Sequence, residues 1–91
     1  MHRYVIERDL PGAGSMSSEQ LKDISVKSCG VLHTMGHRIQ WVHSYVTDNK
    51  IYCVYFAENE DAIREHGRLG GFPVTRISEV RQVIDPGTAA G

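Results

Sequence analysis

The amino-acid sequence predicts an α+β fold in the order β-α-β-β-α-β. Three observations carry the prediction. Runs of period-two and period-3.6 hydrophobicity alternate in that order along the chain. Two aromatic-rich runs are separated by only Asp48-Asn49, a pair suited to a tight hairpin. Each helical run ends on glycine.

The first strand is His2 to Leu10. Tyr4, Ile6 and Leu10 fall on one side, and Arg3, Val5, Glu7 and Asp9 on the other. Pro11-Gly12-Ala13-Gly14 ends it. Ser17 stands as an N-cap with Gln20 at the capping-box position. Leu21, Ile24, Ser25, Ser28, Val31, Leu32 and Met35 then recur at helical spacing up to Gly36. Ile39 to Thr47 and Lys50 to Ala57 are rich in β-branched and aromatic residues and form a hairpin. Asn59 caps a second helix from Glu60 to about Leu69, which Gly70-Gly71 stops. Its Ala62, Ile63, His66, Gly67 and Gly70 share one stripe, with Arg64 and Arg68 pointing away. The glycines of that stripe let helix and sheet approach closely. Arg76 to Asp85 is the last strand. This order is the ferredoxin-like split βαβ unit, an antiparallel sheet with two helices on one face.

A two-residue turn sets the hairpin register. Thr47 opposes Lys50, Ser44 opposes Cys53, His43 opposes Val54, Val42 opposes Tyr55 and Trp41 opposes Phe56. One face then carries Val42, Ser44, Val46, Ile51, Cys53 and Tyr55 and suits packing under helices. The other carries Trp41, His43, Tyr45, Tyr52, Val54 and Phe56. An aromatic face of that kind would meet water in a lone chain, so it marks a binding surface. The expected cover is a second copy of the chain, with Trp41, Tyr45, Tyr52 and Phe56 at a homodimer interface.

The 91 residues suit a single domain, residues 1–85, followed by a loose tail, 86–91. Ten basic and eleven acidic residues are well mixed and give a net charge of −1, which argues against nucleic acid as the main partner. The longest apolar runs fall far short of the roughly 20 residues that span a bilayer. MHRYVIERDLPG has no apolar core of a secretion signal, so the expected place is the cytoplasm, with no membrane partner. Two cysteines, Cys29 and Cys53, are too few for a disulfide framework or an iron–sulfur cluster. Gly67 and Gly70-Gly71 close a helix where a phosphate loop would open one, and no organic cofactor is expected.

ERDLPGAG, KSCGVL, WVHSYVTDNKIYCVYFA, IREHGRLGGFP and VRQVIDP together cover most of the chain. With these runs the sequence resembles a small bacterial family known as domain of unknown function 4242, some of whose members are described as nickel-binding proteins. The resemblance implies a ferredoxin-like fold, a homodimer, and nickel or a similar divalent transition metal held near the surface of that dimer. The ligands carried over are His43, Cys53 and His66, which stand in those runs. No catalytic residue is assigned.

The residues themselves leave alternatives open. Five histidines are many for this length, and imidazole is the commonest transition-metal ligand. His33 and His37 are four apart at the end of the first helix, with Gly36 between them to break it. The bland reading is two solvated residues favoured by the helix dipole. His43 fills an aromatic interface or contacts a ligand. Cys53 is a small core residue unless His66, on the same side, meets it and promotes a thiolate. Two functions follow. One is a non-enzymatic dimer that sequesters or carries metal. The other is a cofactor-free dimeric αβ-barrel enzyme, an oxygenase or isomerase acting on a small aromatic or quinone-like molecule. Trp41, Tyr45, Tyr52 and Tyr55 would shape its pocket, and His43 or His66 would serve as acid or base. A third reading is an accessory domain with no site of its own.

Overall fold

The structure, a computed structural model, describes residues 1–91. It has strands β1 (His2–Asp9), β2 (Ile39–Val46), β3 (Lys50–Ala57) and β4 (Arg76–Glu79), and helices α1 (Ser18–Met35) and α2 (Glu60–Gly70). The sheet order is β2-β3-β1-β4 with every neighbouring pair antiparallel. This is the expected ferredoxin-like arrangement. No helix is long and apolar enough to cross a membrane.

Both helix starts form as their side chains dictate. Ser17 Oγ accepts from the Gln20 N–H at 3.1 Å while Gln20 Oε1 accepts from the Ser17 N–H at 2.9 Å. Asn59 Oδ1 accepts from the Ala62 N–H. The Asp48-Asn49 turn closes with the Thr47 N–H donating to the Lys50 carbonyl. The core lies between the helices and one sheet face, where Tyr4, Ile6, Ile51, Cys53, Tyr55 and Ala57 alternate inward. On α2 the residues Ala62, Ile63, His66, Gly67 and Gly70 are the buried ones, which is the expected stripe.

Two elements depart from expectation. The hairpin register holds from Val46–Ile51 through His43–Val54, then slips: Trp41 opposes Tyr55, Gln40 opposes Phe56 and Ile39 opposes Ala57. Val42 is the extra residue of a β-bulge. The slip moves Trp41 off the aromatic face, where the alternation placed it, to the helix side beside Tyr55. There its indole N–H donates to Ser44 Oγ at 2.9 Å. A half-buried indole needs such a partner, and the bulge supplies the geometry. The exposed Val42 does not take the inward place expected of it.

The last strand ends at Glu79, well before Asp85. Glu79 opposes Tyr4 in an antiparallel pair, and the Val80 N–H makes the last bond, to the Arg3 carbonyl. Beyond that bond the chain leaves β1, although His2 and Arg3 continue to pair with β3 on the other side. Val83 and Ile84 are accordingly exposed, and Pro86–Ala90 forms a 3-10 turn capped by Asp85.

Glycine serves two opposite purposes here. A Cβ on Gly70 would stand 2.1 Å from Phe72 Cε2, so this position is kept bare for the Phe72 ring rather than for the sheet. Gly30, inside α1, has open space around the place a methyl group would take, with nothing within 4 Å, and carries only the helix penalty of glycine. Gly70→Ala should therefore lower stability by about 1–3 kcal/mol through overpacking. Gly30→Ala should raise it by up to about 1 kcal/mol. Urea unfolding of the two variants checks the opposite signs.

Candidate functional site

β1 carries one residue whose character contradicts its position. Arg8 follows Tyr4 and Ile6 on the inward side and is 5% exposed. No acidic side chain pairs with it. Its Nε donates to Cys53 Sγ at 3.4 Å on β3, and its Nη1 donates to the Pro73 carbonyl at 2.7 Å on the loop after α2. Its Nη2 is buried with no partner. The guanidinium carbon lies 6.0 Å from the Tyr55 ring centre and 5.7 Å from that of Phe72, which gives partial compensation through the ring faces. A buried cation with no counter-charge costs several kcal/mol in a folded protein.

Arg8 lines a cavity of about 400 Å³ between α1, the sheet and the Phe72-Pro73 loop. Its walls are largely apolar, with Leu21 and Ile24 from α1 facing Trp41, Ile51 and Tyr55 from the sheet. The volume lies in the range of small-molecule sites. Lys27 on α1 is a second cation on the wall, 5.7 Å from the Phe72 ring centre. No aspartate, glutamate or histidine lines the cavity.

His66 sits behind this wall, fully buried. Its Nε2 lies 3.0 Å from Ser28 Oγ, and its ring centre is 5.3 Å from those of both Tyr55 and Phe72. Its Nδ1 has no partner. A bare ring lone pair costs less in an apolar setting than an unpaired N–H, so the proton belongs on Nε2, donating to Ser28. Burial first, and then the Arg8 charge, push the imidazole pKa down to about 4. Burial and then Cys53 push the Tyr55 phenol up to about 12. His66 and Tyr55 are therefore both neutral at pH 7.

The three expected metal ligands are not brought together. His43 opposes Val54 and projects from the uncovered sheet face, exposed and edge-on to Tyr45 at 4.9 Å. Cys53 and His66 are buried on the other side, between sheet and helices. Within that layer Cys53 is engaged by Arg8 and His66 by Ser28, so the expected meeting of thiol and imidazole is not made. The set does not fit one ion. Gly36, at φ 69° and ψ −136°, ends α1 between His33 and His37, and His37 lies in the following 3-10 turn. No three or more His, Cys, Asp or Glu side chains gather closely enough to hold a metal ion. Cys29 is exposed and Cys53 buried, and both are free. The residue that sequence reasoning passed over is Arg8. Its signal was parity: a lone arginine on the inward side of β1 between Ile6 and Leu10.

Residues 4–80 match the family model described as nickel responsive protein, SCO4226-like. The chain belongs to that family. The crystal structure of SCO4226 from Streptomyces coelicolor A3(2) superposes with a TM-score of 0.76 at 15% sequence identity, covering 90% of this chain and 99% of that one. At that identity the likeness speaks for the fold. Comparison with curated proteins gives no match. The family takes its name from nickel responsiveness, while the interior of this protomer carries the cationic Arg8.

The depressed pKa of His66 has a sign that can be tested. The folded state keeps the imidazole neutral down to about pH 4, whereas the unfolded chain protonates it near 6.5. The unfolded state therefore binds more protons between those values. The stability from burying neutral His66 is fully present above pH 6.5 and is lost as pH falls toward 4. The loss amounts to something on the order of 3 kcal/mol. Below about pH 4 this contribution to the slope ends. Urea titrations between pH 4 and 7 should show that slope in the native protein and a flatter one in His66→Gln. In NMR, the His66 ring signals should stay in their neutral position through pH 5.

Proposed function

We propose that the protein is a non-enzymatic binder of nickel or a similar divalent transition metal, and that it works as a homodimer joined through the uncovered sheet face. The supporting observation is the position of His43. It is exposed on the edge strand β2, on a face that carries Val5, Tyr52, Val54 and Phe56 half-buried, Tyr45 59% exposed and Arg3 over the Phe56 ring. An apolar and aromatic patch of this kind is suited to burial by a partner, and a chain of 91 residues gains stability from such pairing.

The histidine count per protomer explains why a second copy matters. One chain supplies a single imidazole on this face, which is too few for a stable site. A twofold axis passing near His43 pairs it with its symmetry mate, and solvent completes the coordination shell. Nitrogen donors of this kind suit nickel. Tyr45, Tyr52 and Phe56 remain as interface residues in this reading. Trp41 leaves the interface, because the bulge turns it to the helix side. Cys53 and His66 leave the ligand set because they lie on the covered side of the sheet.

Calorimetric titration of untagged protein with nickel, alongside sedimentation equilibrium, tests the reading. The expected result is a dimer that binds about one nickel per two chains. His43→Ala should weaken nickel binding by about tenfold or more, and Tyr45→Asp should shift the protein toward monomer. Absence of nickel binding, or binding unchanged in His43→Ala, refutes the assignment.

A further inference from the structure

We propose that the cavity beside Arg8 is a binding site for a small organic monoanion, a carboxylate on an apolar body, drawn by the unbalanced guanidinium charge of Arg8. The site lies on the opposite side of the sheet from His43 and does not depend on the nickel reading.

Three independent observations carry this. The first is the buried guanidinium without a counter-charge. Arg8 is 5% exposed, two of its nitrogens are satisfied by Cys53 Sγ and the Pro73 carbonyl, and Nη2 has no partner. Nη2 itself is sealed from the cavity, but arginine cannot shed its charge, and the guanidinium at this wall has no anion of the chain to balance it. The second is charge balance. The cavity wall holds two cations, Arg8 and Lys27, and no acid, although acids outnumber bases in the chain as a whole. No acidic group pairs with Lys27 either. The third is shape. About 400 Å³ of largely apolar space lies next to the charge, room for a ring or a branched chain of roughly six to ten heavy atoms on the usual scale of such sites.

The other polar groups of the wall refine the ligand class. The Tyr55 hydroxyl keeps its proton and can donate to an anion, whereas an ammonium ion beside Arg8 would be repelled. Ser25 and Ser44 add hydroxyls on the wall, though Ser25 already donates to the Leu21 carbonyl and Ser44 already accepts from Trp41. A single carboxylate attached to an aromatic or branched body fits both the cationic wall and the apolar volume.

The site carries its own reporter. Trp41 is the sole tryptophan and lines the cavity. Its fluorescence should change saturably when metal-free protein, held in a chelator, is titrated with phenylacetate, benzoate or hexanoate. The uncharged twin phenylacetamide should bind at least about tenfold more weakly, and phenethylamine should not bind. Arg8→Met keeps the length and apolar stem and should abolish the preference for acid over amide. Lys27→Ala, at an exposed position, should weaken the acid by a few-fold and leave the amide unchanged. If none of the three acids gives a saturable signal, or if the native protein binds acid and amide alike, the proposal fails. The acid–amide comparison uses the native protein, so it decides even if Arg8→Met does not fold. Chelated conditions separate this outcome from that of the nickel titration.

Discussion

Much of this structure follows from the burial of one guanidinium. Arg8 stands on the inward side of β1 and reaches across to β3 through Cys53 Sγ and to the loop after α2 through the Pro73 carbonyl. Those two bonds join three separate parts of the chain. They also fix where Phe72 lies, because the ring that precedes Pro73 must settle over the bare surface of Gly70. Phe72 in turn forms one side of the slot that holds His66, and Tyr55 forms the other. The low proton affinity of His66 follows from that slot first and from the Arg8 charge second. A cation has organised its neighbours without any acid to balance it, and a net hydrogen bond contributes only about 1 kcal/mol against that cost.

The glycines of α2 illustrate how such packing is encoded. The stripe they share suggests a close approach of helix to sheet. Gly67 and Gly70 receive the returning loop instead: a Cβ on Gly67 would lie 2.8 Å from Val74 Cγ2, and one on Gly70 would overlap the Phe72 ring. Gly71 then turns the chain with a left-handed backbone at φ 69°. Helix end, sharp turn and ring placement are thus one unit, and the third wall of the cavity is its product.

The sequence carried the fold well because its local signals agree with one another. The capping box at Ser17, the cap at Asn59, the Asp48-Asn49 turn and the stripe on α2 each rest on short-range chemistry, and each is present. What failed to read was the bulge at Val42. Alternation specifies register only where one face is apolar and the other is not. From Trp41 to Val46 both faces are apolar or aromatic, so nothing local distinguishes a regular strand from one that carries an extra residue. The choice is made by the indole of Trp41, which needs a hydrogen-bond partner and finds Ser44 on the helix side. The far end of β4 was illegible for a related reason. Arg76 to Asp85 has strand-like composition throughout, but its pairing partner is β1, from the other end of the chain, and that pairing ends at Tyr4–Glu79. Arg8 was legible by parity alone. His66 was legible as an inward residue, though its partner Ser28 comes from α1, and no spacing within α2 identifies it.

Charge also bears on where a metal ion can sit. Arg8 donates to Cys53 Sγ directly and lowers the proton affinity of His66, so it is close enough to act on both of the buried residues that a metal reading would select. A divalent ion some 5 Å from a guanidinium is opposed by roughly 7 kcal/mol even at an effective dielectric near 20. That is comparable to the whole affinity of a micromolar site. The interior therefore disfavours a metal ion by the same charge that makes it receptive to an anion. His43 is spared this repulsion, since it leaves the strand on the far side, two positions from Trp41 and across the bulge at Val42. The single extra residue at Val42 thus divides the hairpin into a pocket side that carries indole and cationic neighbours and an open side that carries imidazole. An ion held by this small domain would sit outside its core.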